Sequence, residues 1–171
     1  MNESHSPENI PLEKIFSSHE ATAIREVLGA DDSAQIIMNF ITRGAEASVY
    51  IAGFGDNRVA IKRAKLLPDH EREVLHRLNG VPGVVRIIDP VDGTNSILLE
   101  YVPGKPIDEA ITENGLIHLD SKESLANRIS ILRQLLNTLK QSAERGVYPI
   151  DLKEDNVLVE IKEGEIPQLP L

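Results

Sequence analysis

Between Gln35 and Lys65 the apolar and polar positions alternate with a period near two, and on both sides of this stretch the period changes to that of a helix. SHEATAIREVLG (residues 18–29) predicts a helix capped by Ser18, with Glu20 and Ala21 in its first turn and Gly29 at its end. QIIMNFIT (35–42), ASVYIAGF (47–54) and RVAIKRAK (58–65) predict three strands, broken by GAE and GDN. The Gly55-Asp56-Asn57 break suits a tight hairpin. After Pro68, DHEREVLHRLNG (69–80) predicts a helix with Val74, Leu75 and Leu78 on one face and Gly80 past its end. VVRIIDPV (84–91) and SILLEYV (96–102) predict two more strands around a DGTN turn, and Pro106 starts a short helix through about Thr112. Ser121 caps a longer helix from Lys122 to Arg145, where Leu125, Ile129, Ile131, Leu132, Leu135, Leu136 and Leu139 keep near the 3.6 period. Val157-Leu158-Val159 predicts a strand, followed by a KEGE turn and a final short strand.

The order of elements implies an α+β fold: a five-stranded antiparallel sheet with one helix, joined to a mainly helical lobe. The expected divisions are an N-terminal extension with a helix (1–34), the sheet lobe (35–103) and a partial helical lobe (104–171).

Composition narrows the setting. The 171 residues suffice for one ordinary domain with a core, or for part of a larger one. Only 4% are aromatic and Trp is absent, so the core must rest on Leu, Ile, Val and Ala. Cysteine is absent, which excludes disulfides and thiolate metal sites and suits a reducing cytoplasm. A net charge of −9 argues against broad nucleic-acid or anionic-membrane binding, though not against a local phosphate pocket. No apolar run approaches the ~20 residues that span a bilayer, so no membrane association is expected.

Chemistry concentrates in four places. YPIDLKEDNVLV (148–159) sets Asp151, Lys153 and Asn156 on one short loop before an apolar strand. A carboxylate to take a hydroxyl proton, a cation to steady a phosphoryl group and an amide oxygen for Mg²⁺ are the groups that phosphoryl transfer needs together. A polar turn after a helix accounts for the same residues. Lys62, in RVAIKRA, shares a strand face with Ala60, while Val59 and Ile61 take the other. It is either an edge-strand gatekeeper or a cation aimed at nucleotide phosphates. RGAEASVY (43–50) offers small residues at Gly44, Ala45, Ala47 and Ser48, which suit close approach of the backbone to a phosphate or a plain hairpin equally well. Glu71 and Glu73 either serve the helix dipole or aim Lys62. ILLEYVPG (97–104) suits a connector whose backbone can hydrogen-bond a purine. His5, His19, His70, His76 and His118 show no metal-type spacing, and no Ser/His/Asp arrangement is suggested by motif.

The order of these pieces resembles the protein kinase superfamily: a glycine loop, the VAIK strand, the glutamate of the following helix, the hinge and the catalytic loop. VAIK is present letter for letter as Val59 to Lys62, Val49-Tyr50 match the end of the glycine loop, and Leu99 takes the gatekeeper place. The resemblance covers about residues 35–171 and implies a Ser/Thr-type protein kinase-like domain using ATP and Mg²⁺. It assigns Asp151 as catalytic base, Lys153 as the γ-phosphate contact and Asn156 as a metal ligand. Lys62 would hold the α/β-phosphates, aimed by Glu71 with Glu73 as the alternative, and Gly44 would belong to the phosphate loop. Val49, Ala60 and Leu158 would sandwich the adenine, and the backbone of Glu100 and Val102 would bind its edge. Lys153 favours a Ser/Thr protein kinase over a tyrosine kinase and over small-molecule kinases of the aminoglycoside or choline type.

Departures from the family matter too. Pro149-Ile150 replace the usual His-Arg, so no arginine there is available for an activation-loop phosphate. Thr42 and Ala47 stand at the other two glycine places. The sequence reaches Leu171 without an Asp-Phe-Gly. That implies a fragment of a longer kinase or a remnant, with little turnover and apolar surface exposed along the long helix. A partner covering that surface and a protein substrate are implied without being identified. A non-catalytic, pseudokinase-like binding module and a small-molecule kinase relative of the aminoglycoside or choline type are the competing expectations.

Overall fold

The computed structural model describes residues 11–43, 47–66, 69–89, 91, 93–107, 109, 122–148 and 157–160. A short 3-10 turn, Leu12–Lys14, leads into helix α1, Ser18–Leu28. The cap of α1 is Ser17, one residue before the expected Ser18. The reason is spacing: Glu20 stands three residues after Ser17, so its backbone N–H meets the Ser17 hydroxyl and its carboxylate returns to the Ser17 N–H. Gly29 closes the helix in the left-handed region at φ +67°.

Strands β1 (Ile37–Arg43), β2 (Ala47–Phe54) and β3 (Asn57–Ala64) run antiparallel in sequence order. Phe54 pairs Asn57 across a two-residue turn in which Gly55 takes φ +57°, a value that costs glycine nothing. Helix α2 (Asp69–Leu78) follows, then β4 (Ile87–Asp89) and β5 (Ser96–Glu100), which complete a five-stranded sheet in the order β1-β2-β3-β5-β4. β4 is shorter than the expected run 84–91. Its register slips between Ile87 and Asp89, and Val91 takes φ +43°, so the ladder cannot continue through it.

Contacts divide the chain into two compact units, Met1–His76 with Arg86–Tyr101, and Arg77–Val85 with Val102–Leu171. In the first unit, period-two alternation sends Ala52, Val59, Ile61 and Leu98 to one face of the sheet. There they form a core with Leu12, Phe16, Ile24 and Leu28 of the N-terminal segment. Helix α1 therefore roofs the sheet, packed on β2 and β3. The opposite face carries Val49, Ile51, Ala60, Lys62, Ile97 and Leu99.

In the second unit, helix α3 (Lys122–Glu144) lies within a residue of its expected bounds. Ile131 packs with Val159, Ile107, Leu135 and Val157. Thr138 donates to the Pro82 carbonyl at 2.7 Å, and Arg145 donates to those of Arg77 and Asn79 at 3.1 and 2.6 Å. Pro106 itself lies in β6 with Lys105, paired with β7 (Leu158–Val159), and the expected short helix begins one residue later: Ile107 and Glu109 are helical, while 108 and 110–112 lie outside the described residues. A proline is tolerated in so short a ribbon, and the next N–H, that of Ile107, continues the pairing onto the Val157 carbonyl at 2.9 Å. Ser121, the KEGE turn and the final strand lie outside the described residues. Among the described residues no helix is long and apolar enough to cross a membrane.

Candidate functional site

Lys62 projects from the middle of β3, on the face opposite α1. Its register partners are Val49 on β2 and Ile97 on β5, and Ala60, one step along the same face, pairs with Ile51 and Leu99. Val59 and Ile61 are buried on the α1 side, so the alternation expected of VAIK holds. The Lys62 ammonium donates to Glu71 Oε1 at 2.5 Å. Of the two glutamates considered, Glu71 is the partner, and helical geometry explains why. Glu71, Val74, Leu75 and Leu78 fall at i, i+3, i+4 and i+7, so Glu71 sits on the half-buried stripe of α2, whereas Glu73 is exposed. Both side chains of the pair are about one-third exposed. Such a pair contributes on the order of 0–1 kcal/mol to stability. Its consequence is orientation: it holds a flexible four-carbon side chain in one direction.

At the end of β5, the Glu100 N–H donates to the Arg86 carbonyl at 2.9 Å. The Glu100 carboxylate accepts from the Arg86 N–H at 2.6 Å and lies 3.5 Å from its Nε. Sequence reasoning named Glu100 for its backbone alone; its side chain also clasps the edge strand. In the second unit, Gly104 donates to the Val102 carbonyl at 3.0 Å, a tight three-residue turn. A β-carbon on Gly104 would stand 3.2 Å from the Val159 carbonyl oxygen, so β7 approaches because residue 104 has no side chain. Leu158 lies on β7, half-buried.

Among the sequence-predicted positions, Val49, Ala60, Lys62, Glu71 and Glu100 fall in the first unit, and Val102 and Leu158 in the second. Gly44, Asp151, Lys153 and Asn156 lie outside the described residues, as do Pro149 and Ile150.

Two groups escaped sequence reasoning. Arg72 is buried and spans several backbone carbonyls, and Glu20 is buried against Ser96, whose hydroxyl donates to it at 2.5 Å. Burial alone would raise the Glu20 carboxyl. Hydrogen bonds from Ser96 and Ser17, with the positive Arg63 nearby, outweigh it and hold the carboxyl below its ordinary value. A cavity of about 450 Å³ opens on the sheet face opposite Lys62, lined by Phe40, Ser48, Tyr50, Arg63 and Asn95 among others.

No protein-family profile matches the sequence. It is 28% identical over 137 residues to the serine/threonine-protein kinase PrkC of Bacillus subtilis (strain 168), covering 72% of this chain and 20% of that protein. With CBL-interacting protein kinase 31 of Oryza sativa subsp. japonica it shares 34% identity over 104 residues, 58% of this chain and 22% of the relative. With the serine/threonine-protein kinase ppk25 of Schizosaccharomyces pombe it shares 28% over 140 residues, 80% of this chain and 30% of the relative. The chain thus spans under a third of the length of each. The crystal structure of Rad53 1-466 in complex with AMP-PNP superposes with a TM-score of 0.52 at 24% identity, covering 78% of this chain and 37% of that one.

Proposed function

We propose that this chain, a protein kinase-like domain by its relatives and fold, binds ATP with Mg²⁺ and, in its complete form, passes the γ-phosphate of ATP to Ser/Thr hydroxyls. The observation that carries the reading is the Lys62–Glu71 pair at 2.5 Å on the face that also bears Val49 and Ala60. A lysine held this way presents a fixed cation to the α/β-phosphates, and Val49 and Ala60 supply apolar surface for the adenine; Leu158 is assigned to the adenine by its sequence position. The backbone of Glu100 and Val102 meets the edge of the base. The structural relative named above holds an ATP analogue, which supports the same reading.

The remaining assignments rest on sequence position. Gly44 belongs to the phosphate loop. Asp151 accepts the proton of the attacking hydroxyl, Lys153 steadies the moving phosphoryl group, and Asn156 supplies an amide oxygen toward Mg²⁺. Among the described residues no three His, Asp or Glu side chains cluster to hold a metal ion. The lack of cysteine fits a cytoplasmic setting. A second reading, nucleotide binding without transfer, is favoured by Pro149-Ile150 standing where the family has His-Arg.

The test is thermal. ATP with Mg²⁺ should raise the melting temperature of the wild type, and should do so less for Lys62→Met. Equal shifts, or none in the wild type, would remove the nucleotide site. Phosphate incorporation into protein rather than small-alcohol acceptors then separates protein kinase from small-molecule kinase, and no incorporation leaves the binding module.

A further inference from the structure

Helix α2 carries two adjacent charged side chains that point to different places. Glu71 meets Lys62. Arg72, 6% exposed, turns into the protein, where its Nη2 donates to the carbonyls of Val91, Thr94 and Ser96 at 3.3, 2.5 and 3.1 Å. Its Nη1 donates to Asp69 Oδ1 at 3.1 Å. A buried guanidinium is costly unless it is well paired, and here the pairing is mostly to backbone. The carbonyls of Val91 and Thr94 belong to the β4–β5 turn and that of Ser96 opens β5; the turn is itself pinned, since the Thr94 hydroxyl donates to the Val91 carbonyl at 2.7 Å, and Val91 sits at φ +43°, uncommon for a β-branched residue. Arg72 Nε is the one buried side-chain donor among the described residues without a hydrogen-bond partner, so the fork is held by its two terminal nitrogens.

The consequence is rotational. Successive residues on a helix lie about 100° apart, so turning α2 by one position would swing Glu71 away from Lys62. An ion pair that is one-third exposed is too weak to prevent that by itself. The Arg72 fork, gripping acceptors fixed in the hairpin backbone, is the contact that sets the rotation. We propose that Arg72 is a positioning residue: by locking α2 onto the β4–β5 turn it keeps Glu71 at Lys62, and so keeps Lys62 aimed for nucleotide. The inference rests on the nucleotide site proposed above, but its structural half can be read without nucleotide.

The experiment compares Arg72→Met, Arg72→Lys, Glu71→Gln and the Arg72→Met/Glu71→Gln double variant, each confirmed folded by circular dichroism at the assay temperature. One readout is the Kd for trinitrophenyl-ATP with Mg²⁺; the other is the rate of Lys62 acylation by an amine-reactive ester, followed by mass spectrometry. Arg72→Met should weaken binding about tenfold and speed Lys62 acylation. In the Glu71→Gln background it should add little to either effect. Arg72→Lys, which keeps the charge but not the fork, should move both readouts the same way by less, and it decides the question if Arg72→Met does not fold. Unchanged acylation overturns the proposal, as does an equal loss of affinity with and without Glu71. If the wild type binds no nucleotide, the site reading fails, and acylation alone still decides whether Arg72 positions the pair.

Discussion

The hydroxyl of Ser96 donates to the Glu20 carboxylate at 2.5 Å, a bond between residues 76 positions apart that fastens helix α1 to strand β5. The same carboxylate closes the cap of α1 through Ser17. Glu20 therefore stabilises the helix and its docking together, and it must be ionised to do so. Its carboxyl is depressed below the ordinary 4.5. A depressed carboxyl contributes stability that is present above the unfolded value and is lost as pH falls through the folded one. Urea midpoints should accordingly be level near neutrality and fall below about pH 4.5. Glu20→Gln should cost about 1.5–3 kcal/mol at pH 7, the scale of hydrogen bonds to a charged group, and should flatten that acid decline. An equally steep decline in the variant would show that other carboxylates set it.

The roofing role of α1 gives a second prediction. Ile24 and Leu28 are fully buried against Val59, Ile61 and Leu98. Ile24→Ala should lose about 2–5 kcal/mol, as cavity-forming substitutions in a core do. A loss under about 1 kcal/mol in chemical denaturation would mean that the helix is an appendage rather than part of the sheet unit.

The Lys62–Glu71 pair separates stability from binding. Glu71→Gln should change the unfolding free energy by less than about 1 kcal/mol, because both side chains are one-third exposed. Nucleotide affinity should nonetheless fall about tenfold, or ~1.4 kcal/mol, because Lys62 loses its direction. A variant that binds nucleotide like the wild type would place the phosphate contact elsewhere.

How much of this could be read from the sequence depended on whether the information was local. VAIK alternates with period two, so the faces of Ala60 and Lys62 were legible, and so was the run of five strands. The choice of Glu71 over Glu73 was also latent in the chain, since only Glu71 stands at i−3, i−4 and i−7 from Val74, Leu75 and Leu78. The Ser17 cap was likewise encoded, by Ser-x-x-Glu. Arg72 was not legible, because an arginine in a helix's first turn reads as solvated, and its partners are backbone carbonyls 19 to 24 residues away. No side-chain pattern announces a carbonyl. The partnership of Glu20 with Ser96 and of Pro106 with Leu158 was hidden for the same reason: each depends on which distant segment arrives.

The long helix supports a final prediction. On α3, Leu125, Ile129, Leu132 and Leu136 are 53%, 40%, 57% and 64% exposed, while Ile131 on another side is buried with Val159. The four recur at steps of 4, 3 and 4, so they form one continuous stripe rather than scattered contacts. Contiguous apolar surface of this kind promotes association in water, whereas single exposed leucines are ordinary. Leu132→Gln with Leu136→Gln should cost little stability, because neither side chain is buried. The pair should lower dye binding to exposed apolar surface and reduce self-association in sedimentation velocity. If the double variant instead unfolds by more than about 2 kcal/mol, these leucines are packed in solution, and the stripe is part of a core.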